Sequence, residues 1–409
     1  MEKQNSDAIN KREKWKTKSS MKNPRTLFGA AAIGEKLYVV GGYKKQNKHL
    51  PFTEVYDSKS NKWSRLANMN EKRKGCAAAF VGGKLYVVGG HNGYIKLASC
   101  EMFDPASNKW TAISRMKKSR YGCAACAIGD KLYVIGGYNR YGYLSSIEEF
   151  DTSTQQWSLL PNMTTERSGC AAVSIGNKIY VFGGWNSSDL SSAEVYDVTT
   201  QKWTPLPDME EKREGCAATV VGNKIYIVGG FDGWKEFSSC EVFDISTNIW
   251  LPSIPDMNEE RNKCQAVSIG TKIYVMGGEN SSSIHSSLEV FEMSMDSVYP
   301  TDDNYVTVEG GYHSPKLLED LCIDQICRSL PYLDGIIPPG LPQYIVNAIL
   351  ESLVSHGTLN AIALKAFTGY ELDQLSLAGC RDVSDENLLP LSETMSKSKS
   401  KFKLFKSIY

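Results

Sequence analysis

Glycine doublets recur along this chain at Gly41-Gly42, Gly89-Gly90, Gly136-Gly137, Gly183-Gly184, Gly229-Gly230 and Gly277-Gly278, in steps of 48, 47, 47, 46 and 48 residues. A fixed period of this length means one supersecondary unit repeated, because a unit so small cannot bury its own apolar face and must stack on its neighbours. Tryptophans keep the step at Trp15, Trp63, Trp110, Trp157, Trp203 and Trp250. So do acidic strand motifs such as Glu54-Val55-Tyr56-Asp57, Glu194-Val195-Tyr196-Asp197 and Glu241-Val242-Phe243-Asp244, whereas Trp185 and Trp234 fall outside the series. Each unit reads as four short strands: a small-residue run (Gly75 to Phe80), an apolar run (Lys84 to Gly89), the acidic-aromatic run and the tryptophan run. Val, Ile and Tyr enrichment between Gly, Asn and Ser turns favours strands over helices.

The double glycine, the tyrosine before it (Tyr86, Tyr133, Tyr180, Tyr226, Tyr274), the downstream tryptophan and a following Met-x-x-x-Arg together resemble the kelch repeat over about residues 12 to 295. The resemblance implies a mainly β fold, a six-bladed β-propeller with one four-stranded sheet per blade. Trp15 precedes the first doublet, and the last unit carries Glu289-Val290-Phe291-Glu292 with no tryptophan run after it. The N-terminal strand is therefore expected to complete the last blade and close the ring, removing edges that would otherwise pair with other chains.

At 409 residues the chain exceeds what one core supports, so a second unit is expected. Lys plus Arg and Asp plus Glu are 46 each, leaving no net charge to draw the molecule to nucleic acid or anionic membranes. Met1 to Lys16 holds no apolar run, which places the protein in the cytosol or nucleus as an expectation. Five of the eleven cysteines, Cys76, Cys123, Cys170, Cys216 and Cys264, share one repeat position and read as free buried thiols. Cys123 and Cys126 form a CxxC, but no second pair follows to complete a zinc site, so no metal is expected. The histidines (His49, His91, His285, His313, His356) lack ligand spacing. The glycine doublets lead from strand to turn and so are not nucleotide loops. No cofactor and no catalytic residue are expected, and a copper oxidase of related architecture lacks its tyrosine, histidine and cysteine constellation here.

An interaction site is expected at the propeller mouth. In kelch proteins that recruit degradation substrates, arginines at the positions of Arg25, Arg73, Arg120, Arg167, Arg213 and Arg261 line the channel mouth and hold acidic side chains. The alternative is that each arginine pins an inter-blade turn by bonding carbonyls. Either way, a ring of arginines is expected to make one face electropositive. The residue after each doublet varies: Tyr43, His91, Tyr138, Trp185 and Phe231, with Glu279 in the sixth unit. Exposed aromatics there would suit a binding hot spot, and rings that merely cover the next blade are the alternative.

Beyond the repeats, Met293 to His313 reads as a linker, and a helical unit is expected from Ser314, an N-cap followed by Pro315. The expected layout is a disordered start at 1–11, the propeller at 12–295, a linker at 296–313, a helical adaptor with one leucine-rich-like repeat at 314–390 and a disordered basic tail at 391–409. Leu318, Leu321, Cys322, Gln325 and Ile326 share one helical stripe, and Ile345, Val346, Ile349, Leu350 and Leu353 form another after Pro342. Leu318, Cys322 and Ile326 resemble an elongin-binding BC box, and Leu341, Pro342, Ile345 and Ile349 resemble the cullin-2 box that follows it. Leu317 departs from the pattern, standing where Ser, Thr or Pro is usual. Leu372, Leu375, Leu377, Cys380, Val383 and Leu388 resemble one cysteine-type leucine-rich repeat. These resemblances imply a substrate-recognition subunit of an elongin B/C and cullin-2 ubiquitin ligase, with elongin C docked helix-in-groove. A kelch scaffold or actin-binding protein without a ligase, or a BTB-less relative of the cullin-3 kelch adaptors, are the alternatives.

Overall fold

The computed structural model describes residues 14–45 and 48–293. Six four-stranded antiparallel sheets follow one another at the period of the glycine doublets. Blade 1 is built from Gly29–Ile33, Lys36–Val40, Thr53–Asp57 and Lys62–Arg65, innermost to outermost, and blade 3 from Ala124–Ile128, Lys131–Ile135, Ile147–Asp151 and Gln156–Leu160. Blade 6 joins Gln265–Ile269, Lys272–Met276 and Leu288–Glu292 to the N-terminal strand Lys16–Lys18, in the register Lys16↔Val290, Thr17↔Glu289 and Lys18↔Leu288. The ring thus closes as the sequence predicts. Among the described residues no helix is long and apolar enough to cross a membrane.

After its leading lysine, the second strand of each blade is apolar and buried because it is covered on both faces. In Lys36–Val40, Leu37 and Val39 pack into the junction with blade 6, while Tyr38 and Val40 pack into the junction with blade 2. Apolar clusters of this kind fill all six blade junctions. The tryptophans tie the same junctions at the rim. Each indole N–H donates to a backbone carbonyl of the preceding blade: Trp63 to Ser19, Trp110 to Ala67, Trp157 to Ser114, Trp203 to Pro161 and Trp250 to Pro207. Trp15 donates to the Pro255 carbonyl at 2.7 Å and lies 5.3 Å from the Phe291 ring, so the closing blade uses the same device across 240 residues.

The doublet must be glycine for a steric reason. At Gly136 (φ 62°) a Cβ would sit 2.4 Å from the carbonyl oxygen of Arg167, and at Gly229 (φ 65°) 2.3 Å from that of Arg261. This close approach lets the second glycine donate to the same carbonyl, as in Gly137 N–H to Arg167 O at 2.7 Å. Adjacent blades are therefore linked by backbone as well as by side chains.

Candidate functional site

The loops that enter each inner strand and those that follow each glycine doublet lie on one face of the ring, joined by bridges such as Thr26↔Tyr43, Lys74↔His91 and Ser168↔Trp185. The six repeat arginines sit under these loops. All are fully buried. Arg120 donates from Nη1 to the carbonyls of Gly136 and Ser146, both at 2.7 Å, and from Nη2 to Glu148 at 3.0 Å. Arg167 does the same with Gly183, Ser192 and Glu194, and Arg261 with Gly277, Ser287 and Glu289, while Arg213 donates from Nη1 to Gly229 and Ser239 and from Nε to Glu241. Arg73 pairs with Glu101 and Arg25 with Glu54.

Each glutamate also accepts one or two backbone N–H groups from the loop carrying the arginine, two in Glu148 from Lys117 and Lys118 and one in Glu54 from Lys22. Burial lowers the pKa of Arg25 from its ordinary value, while Glu54 acts in the other direction. A guanidinium buried against carbonyls and a strand carboxylate presents nothing to a ligand, and Arg25 Nε, which alone among these groups lacks a partner, is buried with the rest. The expectation that Arg25, Arg73, Arg120, Arg167, Arg213 and Arg261 line the mouth gives way to their pinning the inter-blade loops. The sequence carries the signal in each arginine's acidic partner, which follows 27 to 29 residues later.

The residue pairs after the arginines form the channel wall. Gly75 N–H donates to Leu27 O, Gly122 to Gly75, Gly169 to Gly122, Gly215 to Gly169, Lys263 to Gly215 and Leu27 to Lys263, a closed belt of six backbone bonds of 2.6 to 3.3 Å. All six residues have positive φ, and Leu27 (φ 55°) and Lys263 (φ 53°) hold it without being glycine. Above the belt stand Thr26, Lys74, Tyr121, Ser168, Glu214 and Asn262. Burial first, and then the charges of Glu214 and Glu279, push the Tyr121 hydroxyl up to about 12. The Thr26 hydroxyl and the Asn262 amide oxygen are buried without a hydrogen-bond partner.

Tyr43, His91, Tyr138, Trp185 and Phe231 form a second ring and are half-buried. The Trp185 indole donates to the Tyr143 hydroxyl at 2.7 Å, and Lys96 stands 4.0 Å over the Tyr138 ring. The most exposed apolar side chains on this face are others: Tyr94, Tyr141 and Trp234, at 83, 80 and 93 % exposure on the loop tips of blades 2, 3 and 5. Each tip is fixed by a short polar side chain two residues earlier, Asn92, Asn139 and Asp232 respectively, accepting the aromatic residue's own N–H. Asn92, Asn139 and Asp232 each follow the variable ring position by one residue, so the Asx-x-aromatic pattern was the missed signal.

The eight described cysteines are free and buried, and burial lifts the thiols of Cys123, Cys126 and Cys216 to about 12. Among the described residues no group of three or more His, Cys, Asp and Glu could hold a metal ion. Leu318, Cys322, Ile326, Leu341, Pro342, Ile345 and Ile349, with the expected helices and leucine-rich-like segment, lie outside the described residues.

The model of the KLHDC2/KLHL20/DRC7 Kelch-repeats domain matches residues 7–120 and 122–301. No curated protein matches the chain. The matched spans take in all six blades with their glycine doublets, rim tryptophans and arginine–glutamate locks, and the chain belongs to the KLHDC2/KLHL20/DRC7 kelch-repeat family.

Proposed function

We propose that the loop face of this propeller receives a segment of a protein partner, and that the chain serves as the substrate-recognition subunit of an elongin B/C and cullin-2 ubiquitin ligase. The observation that carries the first part is the trio Tyr94, Tyr141 and Trp234, large apolar side chains held out to water on turns that fix their backbone. Rigid exposed aromatics give up little conformational entropy on contact and dominate interface energetics. Membership of a kelch family supports a protein-interaction module. The ligase part rests on Leu318, Cys322 and Ile326 at one-turn spacing, followed by Leu341, Pro342, Ile345 and Ile349 in box order.

Two pull-downs test the two parts. Purified elongin B, elongin C and cullin-2 should bind the wild-type chain and be lost with Leu318→Ala plus Cys322→Ala; no binding to wild type removes the ligase role and leaves a kelch scaffold. Partners captured from lysate should be lost with Trp234→Ala plus Tyr94→Ala at unchanged melting temperature. Retention of every partner by that variant would overturn the loop-face reading.

A further inference from the structure

The molecule is neutral as a whole and its loop face nearly so, yet the charges on that face are not evenly spread. Leaving out the buried arginines, the entry and doublet loops of blades 1 to 3 (21–27, 43–50, 69–75, 91–97, 116–122, 138–144) carry ten lysine or arginine residues against one acidic residue, Glu71. The corresponding loops of blades 4 to 6 (163–169, 185–190, 209–215, 231–237, 257–263, 279–284) carry ten acidic residues against three lysines. One face of one ring is thus split into a basic and an acidic half.

Within the basic half the cations rest on aromatic rings in place of carboxylates: Lys72 over Tyr94 at 5.5 Å, Lys74 over Tyr43 at 4.7 Å, Lys96 over Tyr138 at 4.0 Å and Arg140 over Tyr141 at 4.5 Å. The acidic half holds two orphaned acceptors. Asp189 is 9 % exposed and Asn262 5 %, and Asp189 Oδ1 and Asn262 Oδ1 have no hydrogen-bond partner although both are buried. A buried acceptor without a donor costs free energy. Like charges also crowd one another within each half. The carboxyls of Asp189 and Glu214 lie above their ordinary values, through burial first and then neighbouring acids, Asp232 for the one and Asp189 and Glu279 for the other, with Lys212 and Lys263 respectively opposing. His91 lies below its ordinary value through burial first, then Lys74 and Lys96.

We infer that the partner segment is itself charge-divided, lying across the mouth in one orientation with an acidic stretch over blades 1 to 3 and a basic stretch over blades 4 to 6. This rests on the proposed reading that the loop face takes a protein segment. Complementary fields set orientation and encounter rate more than raw affinity, and they bar wholly acidic or wholly basic segments by repulsion from one half.

The test uses the full chain and synthetic peptides of one composition: a glutamate block and a lysine block separated by a Gly-Ser spacer, and an alternating Glu-Lys control. By fluorescence polarisation at low salt the block peptide should bind about ten-fold tighter than the control, equivalent to about 1.4 kcal/mol. The preference should fade as the screening length shortens from about 10 Å at 0.1 M salt to about 3 Å at 1 M. Lys72→Glu with Lys96→Glu should abolish it, and so should Glu210→Lys with Glu236→Lys. A photo-crosslinker at the glutamate end should label the 91–97 or 138–144 loops and not the 231–237 loop.

Equal affinity for the two peptides, tighter binding of an all-glutamate peptide, or a preference untouched by both reversals would overturn the inference. So would face-to-face dimers by sedimentation, since a second copy turned by half a revolution also matches the two halves. Partner capture that needs Tyr94 and Trp234 yet ignores block order sinks the charge division alone. Capture independent of those aromatics sinks the receptor reading beneath it.

Discussion

Removing one repeat arginine separates a structural role from a ligand-binding one. In Arg120→Ala the Glu148 carboxylate, itself fully buried, loses its countercharge, and the Gly136 and Ser146 carbonyls lose their shared donor. Breaking a buried pair from one side costs about 3 to 5 kcal/mol, because an uncompensated charge stays behind. The orphaned carbonyls belong to the same site, so their cost overlaps that figure. In a domain of this size each kcal/mol moves the melting temperature by about 2 to 4 °C, which gives a fall of roughly 10 °C by calorimetry. Arg120→Met combined with Glu148→Gln should recover part of this, since no buried charge remains, although the carbonyls and one of the two loop N–H groups that Glu148 accepts stay unsatisfied. A fall below about 2 °C, together with lost partner binding, would refute the pinning argument and return the arginines to the mouth.

Three further outcomes follow from the same geometry. Trp15→Ala should cost about 3 to 5 kcal/mol and promote aggregation through the bared Leu288–Glu292 edge, whereas a melting curve like wild type would mean that the closing strand is dispensable. Under native conditions a disulfide reagent should react with at most three of the eleven thiols and with all of them after denaturation; fast reaction of Cys123 or Cys216 would contradict their burial. The carboxyls of Asp104 and Asp151 are held down to about 2, that of Asp104 chiefly by Lys84 and that of Asp151 chiefly by the Ser153 hydroxyl. An unfolded aspartate titrates near about 3.9. The unfolded chain therefore binds more protons in between, so this contribution is complete above about pH 4 and lost as pH falls through about 2. Thermal melts across that window should decline less steeply for Asp104→Asn plus Asp151→Asn.

Much of this fold was legible in the chain before folding. The doublet spacing gave the blade count, and Trp15 without a blade of its own gave the closure, because a repeat array can satisfy its end strands only by joining them. The arginines were legible as a set but not in direction. An arginine four residues after a methionine can reach outward to solvent or inward to a strand, and only the position of Glu148, two strands away, decides which. The half-buried state of Tyr43 and Trp185 was equally hidden, since it depends on Lys74 and Tyr143 from neighbouring blades. Leu27 and Lys263 show a third kind of silence: they occupy the belt positions where four other blades place glycine, and nothing in their side chains announces a left-handed backbone.

Internal repetition nonetheless separates what holds the ring from what the ring can hold. A residue type present in all six units cannot distinguish one blade from another, so it suits the tasks every blade shares. The arginine–glutamate locks, doublet glycines and rim tryptophans all do such work. A partner that meets the face in one orientation must read differences between blades, and those lie at positions the repeat leaves free: Lys74 against Glu214, Lys96 against Glu236, and the aromatic tips on three blades only. The ten cationic and ten acidic loop residues fall at such free positions and are sorted by blade, not alternated along the chain. Stability alone does not call for that sorting, because interspersed charges would repel less within each half. The division of charge is therefore better understood as the shape of an absent partner's field than as a property of the scaffold.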